Sequence, residues 1–417
     1  MNIFIETYGC ESNQCSTEVM AALLEKVGHK LVPRDQAELV ILNTCALEAR
    51  TEKKIIARLK ELDGTSQKIL VAGCLTEVQK EKIQEVSPNA SVMGISSVAY
   101  VADVVDKIQN GFKVTRVKDK PKLLVNEPHL RIYPVIATVQ IAEGCLDNCS
   151  FCVDRTTRGS LISYEPEHII REVQNAVSDG CVEIRLTAQD VASYGHDKGV
   201  KLPGLVRRLS AIPGNFKIRL GQMNPANVLP ILDDLILSFN HPKVYRYLDL
   251  PLQSGSNRIL KEMKRNYTGE EYQMIVAAFR KKYADVTIST DVMIGYPGET
   301  DDDFGKTVDV IKETKPDLIN VYIYSSRPFT KSGLSHIAPW KIKNRSIEID
   351  QLYDKIKEAK NDTWIHWQGE VAVTRKIQDM YLARNFAYKP IMLKQAKLGE
   401  IVRAEIIEAK PNYFIGR

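Results

Sequence analysis

At 417 residues the chain is too long for one ordinary hydrophobic core, so two or three domains are expected. Hydrophobic residues make up 44% and charged residues 26%, as in ordinary globular proteins, and no apolar run approaches the roughly 20 residues of a bilayer span. The start, Met1 to Glu6, has no basic stretch followed by an apolar one, so no signal peptide is expected, and a cytoplasmic location away from membranes is the default.

Net charge is only +5, but it is unevenly placed: from Thr363 onward there are nine Lys/Arg against five Asp/Glu. A localised basic surface suits a polyanion, although a solvated basic face would read the same way. The eight cysteines are Cys10, Cys15, Cys45, Cys74, Cys145, Cys149, Cys152 and Cys181. In a reducing cytoplasm, those that cluster read as metal ligands or catalytic groups rather than disulfides.

In chain order, residues 2–6, 39–42 and 69–72 read as strands, with helical patterns over 16–27 and 53–62. This predicts a doubly wound α/β domain over 1–112 with a parallel sheet. Each strand is followed by a cysteine: Cys10, Cys45 and Cys74. Ligands of open α/β sheets bind at that edge, so three distant thiols are expected to converge there. Residues 113–133 read as a Lys- and Pro-rich connector that includes Pro121 and Pro128. Strand–helix alternation resumes over 134–359. Candidate strands are 137–141, 183–187, 217–220, 246–250, 287–294 and 318–324, which suggests a full or partial β/α barrel. Over 360–417 short strands (371–373, 388–393, 401–407, 413–415) replace helices, predicting a small antiparallel barrel.

The strongest chemical signal follows the first barrel strand. Gly144-Cys145-Leu146-Asp147-Asn148-Cys149-Ser150-Phe151-Cys152 has the spacing Cys-x3-Cys-x2-Cys. Three thiolates on a [4Fe–4S] cluster leave one iron open, the mark of a catalytic centre. Structural zinc is the rival, but it wants four ligands, and this loop supplies three.

This motif resembles that of the radical S-adenosylmethionine (SAM) superfamily. The resemblance implies that the open iron binds the methionyl amino and carboxylate groups of SAM, and that Phe151 packs near the adenine. The upstream segments Thr7-Tyr8-Gly9-Cys10, Asn43-Thr44-Cys45 and Val71-Ala72-Gly73-Cys74 resemble the three-cysteine signature of the methylthiotransferases. That resemblance covers essentially the whole chain. It implies a second [4Fe–4S] cluster on the N-terminal domain, a central radical SAM barrel, and a C-terminal RNA-binding TRAM barrel. It also implies two SAM molecules per turnover, one donating methyl and one generating a radical that can attack an unactivated C–H bond. An electron donor and a sulfur source are then required as partners.

The family also points to cofactor contacts at Gln189 and Asp190 after the second barrel strand, at Gln253 and Ser254 after the fourth, and at Asp291 in Asp291-Val292-Met293-Ile294-Gly295-Tyr296-Pro297. As bare residues Gln189 and Asp190 equally suit a strand end and a helix N-cap. Arg155 and Arg158 could face SAM or phosphate, or cover a helix end. Tyr324-Ser325-Ser326-Arg327-Pro328-Phe329 departs from the family's Ser-Pro-Arg-Pro-Gly-Thr pattern, which puts the shape of that loop in doubt. Arg375, Lys376, Arg384, Lys389, Lys394 and Lys397, interleaved with Tyr381, Phe386 and Tyr388, are candidates for RNA binding, although the aromatics could instead fill the barrel core. Cys15 and Cys181 match no ligand position.

Three substrates are compatible with the family: threonylcarbamoyladenosine at position 37 of the tRNA anticodon loop, isopentenyladenosine in tRNA, or an aspartate of a ribosomal protein. Gly144-Cys145-Leu146 with Asn148-Cys149, Thr51-Glu52-Lys53-Lys54 and Arg384-Asn385 with Tyr388-Lys389-Pro390 most resemble the archaeal and eukaryotic threonylcarbamoyladenosine group.

Overall fold

In the computed structural model of the chain, residues 1–119, 124–330 and 335–417 are described. Residues 120–123, which fall within the expected connector and include Pro121, lie outside the described residues, as do 331–334. The chain falls into two compact units. One comprises Met1–Ile132, Thr138–Tyr164 and Ser325–Lys331; the other comprises Tyr133–Ala137, Glu165–Tyr324 and Ser332–Arg417.

The first unit is built on β1 (Asn2–Thr7), α1 (Glu11–Lys26), β2 (Lys30–Leu31), β3 (Leu39–Thr44), α2 (Ala49–Asp63), β4 (Lys68–Gly73), β5 (Ser91–Met93) and β6 (Thr115–Arg116). The strands form one parallel sheet in the order β2-β1-β3-β4-β5-β6. The central strand β3, Leu-Val-Ile-Leu-Asn-Thr, is buried along its whole length, as a parallel strand covered on both faces must be. Val19, Met20 and Leu24 of α1 and Ile55, Leu59 and Leu62 of α2 supply apolar faces to the same core. The sheet order reverses around β1 and β3, where the cysteine loops emerge.

In the second unit Glu183–Thr187 pairs in parallel with Lys217–Leu220, and Tyr247–Asp249, Thr287–Ile294 and Leu318–Ile323 form a second parallel run. A parallel bridge between Ile218 and Val244 joins the two runs. This is a partial β/α barrel. The C-terminal strands Gln368–Ile377, Met380–Arg384, Pro390–Leu393, Ile401–Ala409 and Phe414–Gly416 close into a five-stranded barrel. Tyr388 is not in a strand as expected; it sits in a turn with φ +62° before Pro390. The helix Pro339–Asp362 leads into this barrel and buries only Arg345 and Ile349. No described helix is long and apolar enough to cross a membrane.

The turn 385–389 locks the small barrel onto the larger one. Asn385 is fully buried, and its Oδ1 accepts the backbone N–H groups of Ala387 and Lys389. Thr287 Oγ1 donates to Ala387 O at 2.7 Å, and Tyr388 Oη donates to Glu183 Oε1 at 2.9 Å. Asp317 lies between Lys389 Nζ and Lys360 Nζ, each at 2.8 Å. Burial opposes the charge on Asp317, but Lys389 and Lys360 outweigh it and hold the carboxyl below its usual range. Asp317→Asn leaves those ammonium groups buried without a counter-ion and is expected to cost about 3–5 kcal/mol, read as a lower thermal midpoint. Because the folded pKa is the lower one, the stabilisation is present above about pH 4 and is lost as the pH falls through the folded value. Acid titration of stability should therefore be steeper in the parent chain than in Asp317→Asn.

Candidate metal centres

Strand register brings the N-terminal thiols together. Thr7 pairs with Asn43, and Thr44 pairs with Gly73, so Cys45 and Cys74 leave adjacent strands at the same level, about 4.8 Å apart by strand spacing. Cys10 caps α1, with its carbonyl accepting from Asn13 and Gln14 N–H. Two glycines make the turns possible. Gly9 has φ +110°, and a Cβ there would lie 2.8 Å from Cys45 Cβ; Gly73 has φ +94°, and a Cβ there would lie 2.5 Å from Thr44 O.

Asn13 ties these loops to one another. Its Nδ2 donates to Tyr8 O at 2.8 Å and to Thr44 O at 3.0 Å. Its Oδ1 accepts Cys74 Sγ at 3.8 Å and Arg158 Nη2 at 2.6 Å. Asn43 Nδ2 in turn donates to Asn13 O and Thr17 Oγ1. Burial pushes the Cys45 thiol up to about 11, partly offset by the Leu47 N–H. Burial likewise pushes Cys74 up to about 12, with Arg158 pulling the other way. Ligation must therefore expel protons from this pocket. A third support comes from the segment at 325–330, where buried Arg327 donates through Nε to Ala46 O and pairs with Glu52 at 2.6 Å. Phe329, at the position where the family has Gly, adopts φ +67° and is 73% exposed. The altered loop thus keeps a left-handed residue without glycine.

The Cys145 loop is carried by an antiparallel hairpin, Ala142–Glu143 against Ile162–Ser163. Cys145 N–H donates to Gly159 O at 3.1 Å and Cys152 N–H to Cys149 O at 3.2 Å, closing the loop. All three thiols are part-buried, as is Phe151. Asp154 N–H points at Cys152 Sγ at 3.4 Å. Arg155 Nη1 donates to Leu146 O at 2.7 Å, so this side chain covers the loop's carbonyls. Arg158 instead turns inward: it is 3% exposed and held by Glu143 at 2.7 Å and by Asn13.

Among the described residues, no group of three or more His, Cys, Asp or Glu is gathered tightly enough for a single metal ion. A zinc site would need such a group, because its four donors meet at one atom. A cubane cluster does not, because each thiolate takes its own iron. Three thiols per group match the ligand set of a [4Fe–4S] cluster with one open iron, whereas structural zinc takes four donors. Cys15 and Cys181 are buried, Cys181 with its Sγ 3.8 Å from Pro134 O.

In the second unit, Gln189 and Gln253 each carry a buried Oε1 with no hydrogen-bond partner among the described residues. Gln253 is held in a left-handed conformation (φ +62°) by paired backbone bonds to Asp291 O and from Met293 N–H. Asp190 and Ser254 are both engaged within the chain. The Asp190 carboxylate accepts Ala192 N–H, Asn224 N–H and Asn227 Nδ2, so it caps a turn and staples the next loop. Ser254 is fully buried, and its Oγ accepts Ser256 N–H within its own turn. Asp291 accepts from Gln222 Nε2 and Asn320 Nδ2. Neither partner was singled out from the sequence. Gln222 stands just past a strand end, the signal that flagged Gln189; Asn320 lies inside a strand and gives no such signal.

On the C-terminal barrel, Lys376, Lys394 and Lys397 are exposed. Arg375 lies over the Tyr133 ring at 4.3 Å, and Arg384 over Tyr388 at 4.4 Å. Lys389 is 7% exposed and paired with Asp317. Tyr388 packs on Tyr245 and Tyr247 in a buried cluster, while Phe386, partly buried, packs on Trp364 and Trp367 against the core of the small barrel.

Residues 2–94 match the uncharacterized protein family UPF0004, and residues 139–311 match the radical SAM superfamily. A probable threonylcarbamoyladenosine tRNA methylthiotransferase of Archaeoglobus fulgidus is 40% identical over 100% of this chain and 98% of its own length. The threonylcarbamoyladenosine tRNA methylthiotransferase of Xenopus laevis is 30% identical over 100% of this chain and 76% of its own. The fold resembles a radical S-adenosylmethionine methyltransferase of Kitasatospora setae, with TM-score 0.57, 13% identity, and coverage of 79% and 73% of the two chains. It also resembles the cobalamin-dependent S-adenosylmethionine radical enzyme OxsB, with TM-score 0.55, 12% identity, and coverage of 86% and 56%.

Gly73→Ala should destabilise the chain by about 1–3 kcal/mol through backbone strain, measured by urea unfolding. Gly64→Ala, where the added Cβ has only ordinary contact at 3.7 Å, should be near neutral.

Proposed function

We propose, from the premise that this chain belongs to the radical SAM threonylcarbamoyladenosine tRNA methylthiotransferase family, that it converts threonylcarbamoyladenosine at position 37 of tRNA to its 2-methylthio derivative. The observation that carries this reading is full-length similarity to relatives so named, together with two complete cysteine triads.

Cys145, Cys149 and Cys152 would hold the SAM-cleaving [4Fe–4S] cluster, and Cys10, Cys45 and Cys74 a second one. Bound there, the clusters and SAM supply the electron and the radical chemistry that put sulfur on an unactivated carbon. The chain's own residues position and shield. Gln189 and Gln253 offer buried amide oxygens to a donor such as the methionyl ammonium. The hydrogen-bonded partners of Asp291 keep its carboxylate in place between Gln222 and Asn320. Lys376, Lys394 and Lys397 would contact tRNA phosphates, with Arg375 and Arg384 beside them, which implies binding that weakens steeply with salt. An electron donor and a sulfur source complete the partners.

Nucleoside mass spectrometry of tRNA from cells lacking this chain should show loss of the 2-methylthio form of threonylcarbamoyladenosine; its persistence without a second enzyme refutes the reading. Cys149→Ala should abolish SAM cleavage, whereas Cys10→Ala should spare cleavage and stop sulfur transfer. In calorimetry, Gln253→Leu should weaken SAM binding about tenfold or more, the worth of one hydrogen bond to a charged group.

A further inference from the structure

Arg158 begins in the helix behind the Cys145 loop, yet it ends among the N-terminal thiols. Its guanidinium is buried, anchored by Glu143 on one side and by Asn13 on the other. Arg158 Nη2 and Cys74 Sγ share one acceptor, Asn13 Oδ1. The Nδ2 of the same amide holds the turns at Tyr8 and Thr44, which precede Cys10 and Cys45. That amide has only one orientation that serves both ends.

Metal ligation turns the Cys74 thiol into a thiolate, which removes its proton from Asn13 Oδ1. The amide oxygen would then face an anionic sulfur, with the Arg158 guanidinium still donating to it. Without Arg158 the amide is driven to turn its nitrogen toward sulfur, and the bonds to Tyr8 O and Thr44 O are lost. The guanidinium is also a fixed positive charge in a place where water screens little, and although the Glu143 carboxylate at 2.7 Å offsets part of it, removing the arginine would leave the local charge more negative. An iron–sulfur centre gains negative charge on reduction, so a nearby buried cation favours the reduced form.

We propose that Arg158 is a positioning residue of the N-terminal centre: it fixes the three cysteine loops through Asn13 and raises the reduction potential of a cluster bound there. This rests on the proposed second cluster, and it links that centre to the SAM-cleaving loop through one side chain.

The test uses the full chain with Cys145, Cys149 and Cys152 all changed to Ala, so that any cluster belongs to the N-terminal triad. Iron and sulfide are counted, and the cluster is titrated by redox potentiometry with electron paramagnetic resonance. About four irons are expected in this background. Arg158→Gln should move the midpoint to more negative potential and change the resonance signature, Arg158→Lys should fall between, and the exposed-side control Arg155→Gln should leave both unchanged. If Arg158→Gln binds no cluster, a cluster in Arg158→Lys with a midpoint below that of the parent supports the inference, and one with the parent's midpoint and signature overturns it. An unchanged midpoint and signature in Arg158→Gln overturns it. A background that holds no iron refutes the second cluster itself, a result distinct from failure of the role given to Arg158.

Discussion

One buried amide organises the N-terminal centre. Asn13 is fully buried on the first turn of α1, and its two side-chain ends meet the turns before Cys10 and Cys45, the Cys74 sulfur and the Arg158 guanidinium. A buried polar group persists only when its partners are present. The geometry of three loops from three strands is therefore one linked arrangement, and a change at any of them is felt by the others.

Buried arginines recur in this unit. Arg158 comes from the loop after the second cysteine triad, and Arg327 from the segment at 325–330, where it holds Ala46 O and Glu52. Each is distant in sequence from the α/β sheet it supports, and each places a planar, always-charged fork against a backbone or side-chain oxygen near a cysteine. The α/β fold alone leaves those cysteine loops as surface turns; the arginines close them over with polar contacts that apolar packing could not supply.

The second unit follows the same logic at its C-terminal barrel. Residues usually expected on an RNA-facing surface are buried in the joint: Lys389 with Asp317, Tyr388 with Glu183 and two tyrosines. The joint is rich in paired charge and aromatic rings, so the small barrel is fixed to the larger one. The basic face left for a polyanion is correspondingly narrower, with Lys376, Lys394 and Lys397 exposed on it.

Periodicity and cysteine spacing in the sequence determined the α/β units, the parallel strands and the two thiol triads, because a strand buried on both faces and a Cys-x3-Cys-x2-Cys loop are local patterns. The helix Pro339–Asp362 was not legible, since it buries only two residues and so shows little apolar stripe. The strand Met380–Arg384 was missed and Tyr388 was misplaced, because strands this short are settled by their partners and turns. Only tertiary structure decided that Asp190 joins its turn to the loop at Asn224, that Ser254 bonds Ser256, that Lys389 is buried, that Gln189 and Gln253 have buried acceptors, and that Arg158 reaches Asn13. The reason is physical: a residue's type states what bonds it can make, while which bonds it does make depends on neighbours brought from up to 145 positions away.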